Sequence, residues 1–148
     1  MKVEKLKRLA TVRVSTGGRL EVNFFLGYSS EIHTGRELII DVLNSDRSFI
    51  PLEDVLKDEI LMIGKNRFRE VELAERDLLP ETLEARKIPV QIELIDGDLV
   101  EGSFYTELPP DKSRLSDYLN NTPQFIYLCR EQADLILNKD YILSLKHR

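Results

Sequence analysis

Two stretches of the chain alternate apolar and polar positions with a period of two. Val90, Ile92 and Leu94 alternate with Gln91 and Glu93, the pattern of a half-buried strand. Val12 and Val14 flank Arg13 in the same way. Each stretch meets a turn signal, Asp96-Gly97 or Gly17-Gly18, and then a second apolar segment, residues 99–104 or 20–25. Asp96-Gly97 predicts a two-residue type I′ hairpin, which needs positive φ at both central positions. Gly102, inside the returning strand, predicts a bend or bulge.

The period then changes. Pro109-Pro110 breaks the sheet, and Leu115, Tyr118 and Leu119 fall at helical spacing. Ser113 is placed to cap this helix and Asn120-Asn121 to end it. Residues 32–43 hold the matching segment of the first half. Strands follow over 124–129, 133–137 and 141–145, with Asn138-Lys139-Asp140 as the last turn. In the first half a third strand is predicted over 48–52. A polar connector over 54–59 leaves the fourth strand short or absent, and 60–63 is read as the closing strand. Residues 68–73, Phe68-Arg69-Glu70-Val71-Glu72-Leu73, alternate cleanly and predict an extra strand with no counterpart later. Pro80-Glu81 predicts a short helix before the second half, and Val3, Leu6 and Leu9 another before the first.

The two halves share residues as well as pattern. Residues 41–52 and 117–128 match without a gap at six of twelve positions: Asp, Leu, Asn, Phe, Ile and Leu. Chance gives roughly one. This predicts an internal duplication: a first unit over 1–74 with an extra C-terminal strand, a linker over 75–88 and a second unit over 89–148. Phe49 and Phe125 hold the same place in the repeat, which predicts two equivalent core residues.

Composition narrows the class. Of 148 residues, 42% are hydrophobic and 32% charged, a globular balance. No apolar run approaches the roughly 20 residues of a membrane helix, and the N-terminus lacks a secretory pattern. The single cysteine, Cys129, excludes an internal disulfide and fits a reducing compartment. A cytoplasmic protein with no membrane partner is expected. The net charge is -5. Residues 1–74 carry 12 basic and 12 acidic side chains, and residues 75–148 carry 9 and 14. Nucleic-acid binders draw affinity from a basic surplus, so this balance counts against RNA and gives no expectation of DNA.

Five short, bent strands suggest a small SH3-like barrel. Asp96-Gly97-Asp98-Leu99-Val100-Glu101-Gly102 resembles the turn and second strand of the Sm-like family. Gln124-Phe125-Ile126-Tyr127-Leu128 resembles its third strand, and Leu137-Asn138-Lys139-Asp140-Tyr141-Ile142 its final turn and strand. The resemblance covers most of residues 90–146 and, more weakly, 11–64. It implies RNA binding through the loop between strands two and three and through the final turn. The sequence departs by placing a helical insert in that loop and Asn23 where the bent-strand glycine falls. The whole pattern also resembles bacterial proteins of uncharacterised function. The fold class expected is mainly β: two tandem SH3-like (Sm-like) five-stranded barrels, each with a short helical insert between strands two and three.

Candidate chemistry is sparse. His33 and His147 are the only histidines, and neither joins a zinc-ligand spacing. Cys129 falls in an apolar segment, where cysteine is usually a small buried hydrophobe. There is no Gly-x4-Gly-Lys-Ser/Thr loop and no Gly-x-Gly-x-x-Gly fingerprint. The chain resembles cyclic-dinucleotide receptors of the PilZ type in fold class only, since the Arg-x3-Arg motif is missing. No cofactor, metal or catalytic residue is expected. The duplicated Asp-x-Leu-Asn makes Asp41, Asn44, Asp117 and Asn120 candidate binding residues, with helix packing and capping as their structural alternative. Phe68, Val71 and Leu73 mark a candidate edge strand. The expected role is a non-enzymatic binding or adaptor module with a protein partner or self-association. RNA binding is the alternative, drawing on Arg13, Arg19, Arg36, Arg47, Lys65, Arg67 and Arg69.

Overall fold

Strands β1 (Leu6–Val14) and β2 (Arg19–Leu26) form the first hairpin, and β6 (Arg86–Leu94) and β7 (Leu99–Thr106) form its later counterpart. The structure, a computed structural model, describes residues 5–28, 35–77, 86–106 and 115–148. The two turns are built alike. Gly17 N–H donates to Val14 O at 2.9 Å while Val14 N–H donates to Gly18 O at 3.0 Å; Gly97 and Leu94 do the same with Leu94 O and Asp98 O, both at 2.9 Å. Gly17 and Gly97 have φ of 93° and 94°, and no residue preceding either glycine is left-handed. The type I′ expectation is therefore corrected. The loop is one residue longer, so a single glycine takes the left-handed position.

The remaining elements are α1 (Ile39–Leu43), β3 (Phe49–Asp54), β4 (Glu59–Gly64), β5 (Phe68–Leu73), α2 (Leu115–Asn121), β8 (Phe125–Leu128), β9 (Leu135–Asn138) and β10 (Ile142–His147). The molecule is mainly β and holds two sheets, of order β4-β3-β2-β1-β5-β9-β8 and β10-β6-β7. One isolated bridge, Ser103 with Cys129, links β7 to β8. Counting that bridge, the second half reads β9-β8-β7-β6-β10, the order that the first half shows as β4-β3-β2-β1-β5.

Gly102 makes the bridge feasible. A Cβ there would lie 2.6 Å from the Leu128 side chain and 2.7 Å from Cys129 O, so only glycine lets β7 pass this close to β8. The equivalent turns place Val22, not the expected Asn23, at the matching position of the first half, and there β2 and β3 pair continuously over Val22, Asn23 and Phe24. In the second half the matching contact is the single Ser103–Cys129 bridge, and the strands are divided between two sheets.

Several expected boundaries move. Leu6 and Leu9 lie in β1, not in a leading helix, because β1 pairs with β2 from Leu6 onward. The fourth strand of the first half is present as β4, six residues long. The segment expected to close that half is therefore the counterpart of β9, and β5 is the counterpart of β10. Strand β6 starts at Arg86, inside the predicted linker. The expected helix at Pro80-Glu81, the cap at Ser113, the Pro109-Pro110 break and His33 lie outside the described residues.

The local details of β5 and β10 agree. Each follows a 3-10 turn, Lys65–Arg67 or Lys139–Tyr141. Each carries one extra residue against its partner strand, Arg69 against β1 and Leu143 against β6. Lys65 N–H donates to Ser48 O and Lys139 N–H to Gln124 O, both at 2.9 Å.

Apolar side chains form two clusters. One gathers β1, β2, β3, β5 and α1 around Val12, Phe24, Leu52 and Phe68. The other gathers β6 and β7 around Val90, Ile92 and Phe104, on which Tyr118 of α2 stacks at 4.7 Å. Successive strand residues face opposite sides. Strands β8 and β9 thus send Phe125, Tyr127 and Ile136 into the first cluster, and Ile126, Leu128, Leu135 and Leu137 into the second.

Candidate functional site

The expected edge strand is corrected by the structure. Strand β5 lies between β1 and β9, and Phe68, Val71 and Leu73 are buried. Its alternating pattern marks a strand but does not say how many neighbours it has. Glu70 sits opposite Leu137, Val71 opposite Ile136 and Glu72 opposite Leu135. This pairing joins the two halves of the chain.

The candidate Asn44 belongs to the same junction. Its Nδ2 donates to Phe125 O and its Oδ1 accepts from Phe125 N–H, both at 2.9 Å. Asp41 accepts from Leu38 N–H at 2.8 Å and so ties the first turn of α1. The later pair behaves differently. Asn120 is exposed and donates to Ser116 O at 2.8 Å, one turn back in its own helix. The Asp117 carbonyl accepts from Asn121 at 2.6 Å. The four candidates are therefore not two equivalent surfaces.

Residues expected in a turn or on a basic surface, and others that the sequence does not single out, complete the junction. Asn138, fully buried, donates to Phe68 O at 2.8 Å and accepts from Gln124 and from Asp140 N–H. Tyr127 donates to Asp134 at 2.7 Å and accepts from Asp77 N–H at 3.1 Å. Arg69 pairs with Glu70, Asp96 and Asp98, which pins β5 to the β6–β7 turn. The Asp98 backbone N–H, with Arg69, holds the Asp96 carboxyl below its ordinary value. Burial pushes the Asp77 carboxyl up, against the pull of Arg8. Two lysines secure the helix ends: Lys65 donates to Ser45 O, and Lys139 to Leu119 O and Thr122 O, each at 2.6 Å. Aligning Gly64-Lys65-Asn66 with Asn138-Lys139-Asp140 is the sequence signal that would have found these two.

Two open grooves mark the surface. One, of about 930 Å³, is lined by residues including Lys87, Glu101, Gly102, Tyr105 and Cys129. Its arginines are paired: Arg148 with Glu101 at 3.2 Å, Arg76 with Asp134 at 3.1 Å and Arg130 with Glu72 at 3.7 Å. Burial and the nearby Asp134 push the Cys129 thiol up to about 11, so at neutral pH it stays protonated and poorly nucleophilic. The smaller groove, about 530 Å³, straddles the junction between Asp46, Arg47, Lys65, Asn66, Gln124 and Asp140, with charges of both signs. Among the described residues no cluster of His, Cys, Asp or Glu could hold a metal, and no helix is long and apolar enough to cross a membrane.

The open edges are elsewhere. Strand β4 ends the larger sheet and β10 ends the smaller one. Phe49, Ile60 and Met62 are exposed at the first edge, and Leu143 at the second. No known protein family, no curated protein and no solved structure matches the chain.

Proposed function

We propose that the chain is a non-enzymatic adaptor built from two copies of one five-stranded, Sm-like unit, acting through protein contacts at its open sheet edges. The shared strand order, 3-10 turn and strand bulge support the duplication. The observation that carries the function is the apolar edge at β4. Phe49, Ile60 and Met62 stand exposed beside unpaired backbone, and natural proteins normally blunt such an edge. An extended partner strand would gain both ladder hydrogen bonds and apolar burial there.

The RNA alternative draws less support. Of the arginines that would supply it, Arg13 pairs with Asp98, Arg36 with Asp77, and Arg69 with three carboxylates. Lys65 is engaged at the end of α1. The test is affinity capture from the native host with the wild type and with Met62→Asp/Leu143→Asp, followed by RNA binding titrated with salt. Protein partners should be retained by the wild type and lost from the double variant. Salt-sensitive RNA binding that survives the double variant would overturn the reading.

A further inference from the structure

The internal junction shows what the open edges lack. At the junction, β9 and β8 are covered by β5 and α1, and Phe125 and Ile136 are 1% and 0% exposed. Their counterparts on β3 and β4 are Phe49 and Met62, which are 62% and 66% exposed. The apolar residues are alike in the two places, while Pro51 and Gly64 stand where the junction has Tyr127 and Asn138; the exposure of Phe49 and Met62 follows the missing neighbour. The covering elements have counterparts too. Helix α1 buries Ile39, Val42 and Leu43 at the junction, whereas α2 buries none of its residues. Strand β5 has a partner on each side, whereas β10 has only β6. The molecule thus presents one uncovered half of the junction at each end.

We propose that a second copy of this chain fills both: β10 and α2 of one molecule dock on β4 and β3 of the next, repeating the β5–β9 junction. This rests on the reading of the two halves as copies, and it names the partner of the open edges. The register follows from the internal one: Ser144 opposite Ile63, Leu145 opposite Met62, Lys146 opposite Leu61. Extending it places Arg148, which pairs with Glu101 inside one molecule, opposite Glu59 of the next. Asn120 then takes the role of Asn44 and turns from Ser116 O to the backbone of Phe49. Several junction bonds are not repeated. Gly64 stands where Asn138 donates to Phe68 O, Leu143 where Arg69 pairs with Asp96 and Asp98, and Pro51 where Tyr127 accepts from Asp77 N–H, so the contact between molecules is weaker than the internal one. The two faces are different surfaces, so assembly is head to tail and either closes or extends.

The test is sedimentation velocity on the purified full chain over a wide concentration range. The wild type should gain mass with concentration in steps of one chain. Met62→Asp blocks only the β4 face, and Leu143→Asp only the β10 face; both side chains are exposed in the single molecule, so circular dichroism should not change. Each variant alone should stay a monomer. Mixed in equal amounts they should form a one-to-one dimer, because one intact face of each kind remains. A wild type that is monomeric throughout overturns the proposal. So does a Leu143→Asp variant that dimerises alone, which would mean β4 pairs with β4. A monomeric wild type that still captures a different protein through Met62 would sink self-pairing and leave the adaptor reading standing; loss of both would sink both.

Discussion

The Asn44 side chain holds the backbone of Phe125 by two hydrogen bonds of 2.9 Å, one accepted and one donated. A carboxamide has the same donor and acceptor as a peptide group, so Asn44 extends the sheet pairing across a place where no strand lies. The contact joins residues 81 positions apart, one in each half. It turns a residue of the repeated sequence motif into a fastener between the two halves, and it is why Asn44 and Asn120 differ in consequence despite their matched sequence.

Asn44→Ala should destabilise the protein by about 2–3 kcal/mol, since it leaves both Phe125 backbone groups without their partner. Asn120→Ala should stay within about 0.5 kcal/mol, because its one bond is exposed and local. Urea unfolding of the two variants measures the difference. Equal losses would show that Asn44 does no more than end its helix.

The phenylalanine pair separates in the same way. Phe125→Ala should cost about 3–5 kcal/mol, as for a large side chain removed from a packed core. Phe49→Ala should cost under about 1 kcal/mol in dilute solution, where its face is open. Chemical denaturation at low protein concentration checks both values. This corrects the expectation of two equal core positions.

Gly102→Ala should destabilise by about 1–3 kcal/mol, since its Cβ would meet Leu128 and the Cys129 carbonyl and force β7 from β8. Gly64→Ala is the control. Its Cβ would meet the Arg67 side chain at 3.4 Å, an ordinary contact, so the change should be close to neutral. Thermal unfolding of both variants tests whether close approach or glycine content matters.

Burial first, then Asp134, raise the Cys129 thiol from its ordinary 9.0 to about 11. The folded state therefore favours the neutral thiol. Stability from this group is complete below about pH 9 and is lost as pH rises toward 11. A thiol-specific reagent at pH 8 should label the native protein slowly and the unfolded chain fast. Rapid native labelling at pH 8 would contradict the buried, protonated thiol.

The strands were largely legible because period-two alternation survives any arrangement of neighbours. Residues 90–94 and 68–73 read as strands, and β6 and β5 contain them. The correspondence between halves lies one strand away from the expected one. Gly64 and Asn138 differ, which hides the shared 3-10 turn, so Ile60 to Ile63 resembles a closing strand although it corresponds to β9. The duplicated Asp-x-Leu-Asn was visible, but its division of labour was not.

By itself, the sequence determined the local content: which segments extend, where glycine turns the hairpins, that one pattern occurs twice and that no familiar catalytic motif is present. These follow from side-chain period and backbone freedom, which act over a few residues. The tertiary structure alone decided which strand is central and which is an edge. Val71 and Leu145 sit in similar strands, yet Val71 is buried by β9 and Leu145 borders an open side. That outcome depends on which distant backbone supplies the second row of hydrogen bonds, and no residue encodes its neighbour's presence.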